Sequence, residues 1–166
     1  SGLSRAFEYC LAYPKSKVLL LSIELCSLTF QRNDFSKSNL VGTSLFADGA
    51  AAVVVCGDES EFHTYQKRTA IPSIVATDSA LMEDTLDVMG WDVKNDGLHV
   101  VFSRSIPTII EQWLNPIVHG FLAKNNKTIE EIDHFIAHPG GKKVLDAYRS
   151  ALSLPESKLE HPLEVL

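Results

Sequence analysis

The sequence predicts an α/β fold, and three observations carry that expectation. Lys17-Val18-Leu19-Leu20-Leu21-Ser22-Ile23-Glu24 and Ala50-Ala51-Ala52-Val53-Val54-Val55-Cys56 are short, nearly continuous apolar runs, as in strands buried on both faces of a parallel sheet. Ile106, Ile109, Ile110, Trp113, Leu114, Ile117, Val118, Phe121 and Leu122 follow one face of a helix through several turns. Phe135-Ile136-Ala137 is a third strand-like run, and it stops at His138-Pro139-Gly140-Gly141. Pro139 cannot continue a ladder, and the glycines permit a tight turn or close approach of backbone to a ligand.

In chain order, Leu3, Ala6, Phe7, Cys10 and Leu11 predict an amphipathic helix over 1–13, closed by Pro14. The periodic pattern begins almost at Ser1-Gly2, without the lead-in a helix usually has, so the chain is expected to be a fragment. The strand over 17–24 comes next, pointing its carboxyl end at Glu24 through Thr29. A polar connection over 33–39 leads to a short helix containing Leu40, Val41, Ser44 and Leu45, and then to the strand over 50–56, with a bend at Gly49.

Residues 57–70 are polar and aperiodic, and they form the expected boundary between 1–60 and 61–166. A strand is predicted over 71–78, with Pro72 near its start. Residues 89–93 and 97–102 are expected to pair as a hairpin through Lys94-Asn95-Asp96. Ser105 is a candidate cap for the long helix, which is expected to cover the second sheet. Pro116 leaves open one bent helix or two shorter ones. Val144, Leu145, Tyr148 and Leu152 predict another helix, whereas 160–166 shows no evident element.

Composition narrows the function classes. At 166 residues, with a net charge of −6 and a pI near 5.4, the chain suits one soluble domain and lacks the basic patch of a nucleic-acid or membrane-surface binder. No apolar run approaches the roughly 18 residues that span a bilayer, so a cytoplasmic location is the default. Cys10, Cys26 and Cys56 are too scattered for a disulfide framework or a metal knuckle and are expected to be reduced and buried. His134 and His138 are four apart, but the residues between them have strand character and no third ligand accompanies them, so no metal site is predicted. His138 is held where ligands bind in open α/β sheets, at a strand's carboxyl end. An imidazole there serves as acid, base or hydrogen-bond donor, or simply packs against a loop.

Three ordered blocks carry a family resemblance: Glu24-Leu25-Cys26-Ser27-Leu28-Thr29-Phe30, Gly42-Thr43-Ser44-Leu45-Phe46-Ala47-Asp48-Gly49-Ala50-Ala51, and His138-Pro139-Gly140-Gly141. Together they resemble the chalcone and stilbene synthase family, the type III polyketide synthases of the thiolase superfamily, and bacterial more than plant members. The resemblance implies an incomplete thiolase-like αβαβα layering of mixed sheets and helices, with 1–60 ending the first half and 61–166 forming most of the second. It also implies an acyltransferase that condenses an acyl-CoA starter with malonyl-CoA by decarboxylative Claisen chemistry and cyclises the product.

By the same resemblance, His138 is catalytic and Phe46 is a gatekeeping aromatic. Cys26, Leu28, Thr29 and Val100 line the substrate pocket, and Gly140, Gly141 and Lys143 lie along a coenzyme A tunnel. Val100 departs from the family, which carries a second aromatic there. The acyl-carrying cysteine and the catalytic asparagine have no counterpart between residues 1 and 166, so this chain alone is expected to be inactive. No cofactor is implied, since coenzyme A thioesters are substrates, and the full-length protein is expected to be a homodimer. Two alternatives stand beside this: a ketoacyl-ACP synthase III-like condensing enzyme, and a non-catalytic module that binds acyl-CoA or a partner.

Overall fold

Helices and strands alternate along the chain, and small antiparallel sheets are flanked by helices, as expected of a partial thiolase-like αβαβα fold. The structure, a computed structural model, describes residues 1–61 and 71–164. They form two compact units, Ser1–Leu28 with Ala47–Leu81, and Thr29–Phe46 with Met82–Leu166. Residues 62–70, most of the expected polar linker, lie outside the described residues.

In the first unit α1 (Gly2–Ala12) packs on a two-stranded sheet of β1 (Lys17–Glu24) and β2 (Gly49–Cys56). Ser1 caps α1, its hydroxyl accepting the Ser4 N–H at 3.3 Å, so the cap absent from the sequence pattern is supplied by the first residue itself. The strands are antiparallel, running in register from Lys17 opposite Cys56 to Glu24 opposite Gly49. This corrects the expectation of parallel strands buried on both faces. Val18 and Val55 sit half-buried on one face, where the Cys10 thiol donates to the Val55 carbonyl at 3.6 Å. Leu19, Leu21 and Ile23 and their opposite partners lie on the other face, which stays exposed, because among the described residues a single helix covers the pair. Gly57 follows β2 where the chain crosses Pro14 so closely that a Cβ would stand 2.1 Å from the Pro14 carbonyl oxygen. Its N–H donates to the Ser16 carbonyl at 2.9 Å, which fixes that crossing.

The segment over 71–78 is not a strand. It makes no ladder with any described residue and leaves Val75 83% exposed, because β propensity makes a strand only where another strand is there to pair with it.

In the second unit the predicted hairpin is present as β3 (Met89–Lys94) and β4 (Gly97–Phe102), paired from Met89 opposite Phe102 to Lys94 opposite Gly97. α2 (Lys37–Leu45) packs on β4. The Ser36 hydroxyl caps it by accepting the Asn39 N–H at 3.2 Å. α3 (Ile106–Lys124) is one continuous helix. Pro116 removes one N–H, but it and Gln112, whose carbonyl loses its partner, are both exposed, so water satisfies the gap. Ser105 occupies the N-cap position without capping; its hydroxyl pairs with that of Ser103 at 2.7 Å.

α3 packs chiefly on α4 (Lys142–Leu152) rather than covering a sheet, which corrects that expectation. The helix with the strongest apolar partner face wins: Leu114, Val118 and Phe121 meet a core of Leu122, Ile129, Ala151, Leu152, Leu154 and Leu159. Asn115 ties the pair by donating to the Ala151 carbonyl at 2.6 Å. α4 ends on Ser153 in the left-handed region at φ 52°, with Leu154 N–H returned to the Arg149 carbonyl. A single 3-10 turn, Glu156–Leu159, then leads to α5 (Glu160–Glu164), an element the sequence pattern did not reveal. It buries Pro162, and Leu159 just before it is wholly buried.

The run before His138 is extended but is not a strand, a further correction. Among the described residues its single main-chain bond to another element is from Phe135 N–H to the Lys158 carbonyl, at 3.0 Å. Alternation survives without a ladder: Phe135 and Ala137 pack on the core, while Ile136 and His138 are exposed.

Candidate active site

The first unit carries the turn Cys26–Thr29 as far as Leu28, directly after β1. The turn is held by Asp48, whose carboxylate accepts the Ser27 N–H at 2.7 Å and the Ser27 hydroxyl at 2.6 Å. These two bonds keep the Asp48 carboxyl below the usual range. Cys26 is half-buried and Leu28 is 80% exposed. Desolvation, reinforced by the Glu24 and Asp48 carboxylates, pushes the Cys26 thiol up. Burial does the same to Cys10, with Cys56 and Asp58 adding to it. Each of these causes favours the thiol over the thiolate, the opposite of what activates a nucleophilic cysteine.

The second unit carries Thr29, Phe46, Val100, His138, Gly140, Gly141 and Lys143. Phe46 ends α2, its N–H donating to the Gly42 carbonyl at 2.8 Å. Gly42 is buried where a Cβ would meet Val100 Cγ1 at 3.3 Å and the Phe46 ring at 3.5 Å, so the helix end, Phe46 and β4 are packed together. Phe46 also meets Phe102 edge to face, with ring centroids 6.4 Å apart and planes at 70°. Phe102 lies outside the three contiguous family blocks, so no local motif marks it. The strand period was the available signal, since residues two apart share a face.

His138 is exposed, and its carbonyl accepts the Gly140 N–H at 2.9 Å. A Cβ on Gly140 would lie 3.5 Å from both the His138 ring and Val144, so a side chain there would crowd the imidazole and the first turn of α4. Gly141 at φ 116° is the N-cap of α4, a conformation other residues rarely adopt, and its Cα faces Leu45 of α2. Among the described residues the amides of Lys142 and Lys143, first in α4, make no main-chain hydrogen bond, and both side chains are exposed. This helix start presents donors and positive charge to an anion or a carbonyl oxygen.

Leu45 therefore connects the Phe46, Val100 and Phe102 cluster to the Gly140–Gly141 turn. Cys26 and Leu28 belong to the other unit.

A second polar constellation was not anticipated. His99 faces Asp34 at 3.5 Å and Asp96 at 3.1 Å. Hydrogen bonds from Ser36, then from His99, lower Asp34, and Asp96 is lowered chiefly by His99. Asn39, buried in α2, donates to the Gln31 and Asp34 carbonyls at 3.1 and 2.7 Å, and Gln31 donates to the Leu98 carbonyl at 3.1 Å. An open groove of about 420 Å³ lies here, lined by Asp34, Ser36, Lys94, His99 and Val100 among others. Apart from Val100, no candidate site residue reaches it, so this network serves to seat the loop before α2 on β4. Among the described residues, no three metal-ligating side chains gather and no helix is long and apolar enough to cross a membrane.

No family model matches the chain. The Bacillus subtilis (strain 168) protein named "Putative chalcone synthase" is 50% identical over 166 residues, which is 100% of this chain and 45% of that protein. The 1,3,6,8-tetrahydroxynaphthalene synthase of Streptomyces peucetius subsp. caesius is 40% identical over 96% of this chain and 41% of its own length. Among solved structures, PKS-I from the brown alga Ectocarpus siliculosus superposes with a TM-score of 0.85 at 27% identity, covering 99% of this chain and 42% of that one. The 1,3,6,8-tetrahydroxynaphthalene synthase of Streptomyces coelicolor A3(2), a bacterial type III polyketide synthase, gives 0.80 at 29% identity over 93% and 41%. The chain spans less than half the length of these relatives. Sequence and fold agree along nearly all of it, and the chain strongly resembles the type III polyketide synthases of the thiolase superfamily as a family rather than any one member.

Proposed function

We propose that this chain is part of a longer condensing acyltransferase of the type III polyketide synthase kind, and that His138 is its catalytic imidazole. The observation that carries this is the exposed His138 beside the amide-bearing start of α4, on a chain similar to such synthases over nearly its whole length. In this reading residues 1–60 end the first thiolase-like half and 61–166 form most of the second.

The chemistry needs a thiolate, and none of the chain's three cysteines is suited to be one: Cys10 is buried, Cys26 is held protonated, and Cys56 ends β2. In this reading the nucleophile is a cysteine, and its partner an asparagine, of the complete protein outside residues 1–166. The thiolate attacks the starter acyl-CoA carbonyl, a new C–S bond forms as the acyl–sulfur bond to coenzyme A breaks, and coenzyme A leaves as its thiolate, which takes a proton from water. Malonyl-CoA then loses carbon dioxide, and the electron pair of the broken C–C bond becomes an enolate. His138 donates a hydrogen bond to that thioester oxygen while the negative charge develops, and as imidazolium it pairs with the thiolate beforehand. The enolate carbon attacks the enzyme-bound acyl carbon and expels the thiolate. Lys142, Lys143 and the first amides of α4 attract the coenzyme A phosphates. Phe46, with Phe102 against its edge, is an apolar wall that excludes water from the decarboxylating group. Thr29 and Val100 shape the cavity within the second unit, and the complete protein works as a homodimer.

The test is mass spectrometry of the complete protein after incubation with a panel of acyl-CoAs and an acid quench. An acyl adduct on a cysteine upstream of Ser1 is expected, as is condensation activity that residues 1–166 alone lack. Loading from an acyl-carrier protein but not from free coenzyme A thioesters would point instead to a fatty-acid condensing enzyme. No adduct from either donor would sink the enzyme reading and leave a binding module.

A further inference from the structure

Residues 129–138 connect the region after α3 to His138, and one side chain holds this connection from outside. The Lys158 ammonium donates to the carbonyls of Ile129 at 3.5 Å, Glu130 at 3.3 Å and Ile132. Those carbonyls belong to the tight turn in which Ile132 N–H returns to the Ile129 carbonyl at 3.3 Å. The Lys158 carbonyl then accepts the Phe135 N–H at 3.0 Å, among the described residues the one main-chain bond that ties the extended run to another element.

Register decides which way the imidazole faces. Phe135 and Ala137 pack on the core and Ile136 and His138 are exposed, with Ile136 at 87%. A slip of one residue would exchange those pairs and drive His138 into the apolar cluster. No β-ladder resists such a slip here, so the bonds from Lys158 replace it. Lys158 is itself well anchored, since its N–H donates to the Pro155 carbonyl at 3.1 Å and the next residue, Leu159, is wholly buried.

We propose that Lys158 is the positioning residue for His138, its ammonium fixing the turn that precedes the extended run and its carbonyl fixing the run's register. This inference rests on the reading of His138 as the catalytic imidazole. Lys158 acts through the backbone and touches no substrate.

The experiment uses the complete protein and compares wild type with Lys158→Met, Lys158→Arg and His138→Ala in malonyl-CoA decarboxylation and condensation. Lys158→Met keeps the aliphatic stem and the backbone carbonyl but removes the three ammonium bonds. It is expected to lower kcat by about 10²-fold, the scale of a 1 Å misplacement, while KM stays within about threefold, since no substrate binding is lost. Lys158→Arg, which keeps charge and donors, is expected to recover most of that kcat. A purely structural lysine would not give that split or that rescue. A folded Lys158→Met with kcat within about threefold of wild type, or with a change in KM alone, overturns the proposal. If Lys158→Met fails to fold, Lys158→Leu, which likewise carries no donor, is judged by the same criterion. His138→Ala separates the two levels: wild-type activity there sinks the condensing reading itself. Its loss alongside an unaffected Lys158→Met overturns only the positioning role.

Discussion

The Asp48 carboxylate grips Ser27 twice, accepting the N–H at 2.7 Å and the hydroxyl at 2.6 Å across 21 residues of sequence. It fastens the Cys26–Thr29 turn to the start of β2, and the same bonds hold the Asp48 carboxyl below its unfolded value. The stabilisation is therefore complete above the unfolded pKa and is lost as pH falls through the folded one. Asp48→Asn is expected to melt a few degrees below wild type at neutral pH, with the gap closing in acid. Thermal unfolding over a pH series checks this; a gap that widens in acid contradicts it.

Cys26 is half-buried, yet two carboxylates and desolvation keep it a thiol at neutral pH. Alkylation by iodoacetamide at pH 7 is expected to be slower at Cys26 than at a free cysteine, and slower still at buried Cys10. Peptide mass spectrometry over time gives the rates. Faster labelling of Cys26 than of a model thiol would return it to the list of candidate nucleophiles.

Gly57 cannot accept a side chain without moving Pro14. Gly57→Ala is expected to cost about 2 kcal/mol or more, because the atom it would strike is backbone. Denaturant unfolding measures it, and a loss below about 0.5 kcal/mol, the usual range for a neutral surface change, would show that the crossing yields easily.

Leu159 is wholly buried in the cluster beneath α3 and α4. Leu159→Ala is expected to destabilise by about 3 kcal/mol through lost burial and the cavity left behind. Since Leu159 adjoins Lys158, the same variant should also loosen the run to His138, seen as faster amide exchange at Phe135.

Phe46 and Phe102 meet edge to face. In the complete protein Phe46→Ala is expected to change the distribution of product lengths and increase hydrolytic release, because removing the ring opens the cavity to water. Chromatography of products from a fixed starter reads this out. An unchanged product distribution would show that Phe46 is an ordinary core aromatic.

Most helices were legible because their evidence is local. The apolar period of α1, α3 and α4 and the turn between β3 and β4 lie within a few residues of what they specify. The family blocks were legible for a similar reason: residues 24–30, 42–51 and 138–141 are contiguous. What failed depended on partners. Residues 71–78 and 132–137 have strand composition but no ladder, α3 chose α4 over a sheet, and α5 came from contacts around Leu159 rather than from periodicity.

By itself, then, the sequence determined the α/β class, the hairpin, the long helix, the family resemblance and the position of His138 before Gly140–Gly141. Each of these depends on side-chain period, backbone permissiveness or contiguous motif. Only the tertiary structure decided that β1 and β2 run antiparallel, that Phe102 meets Phe46, that Asp48 holds Ser27 and that Lys158 binds the run to His138. Those pairings join residues roughly 20 to 60 apart, and loop closure over such distances is settled by packing and hydrogen-bond satisfaction, which no local pattern encodes.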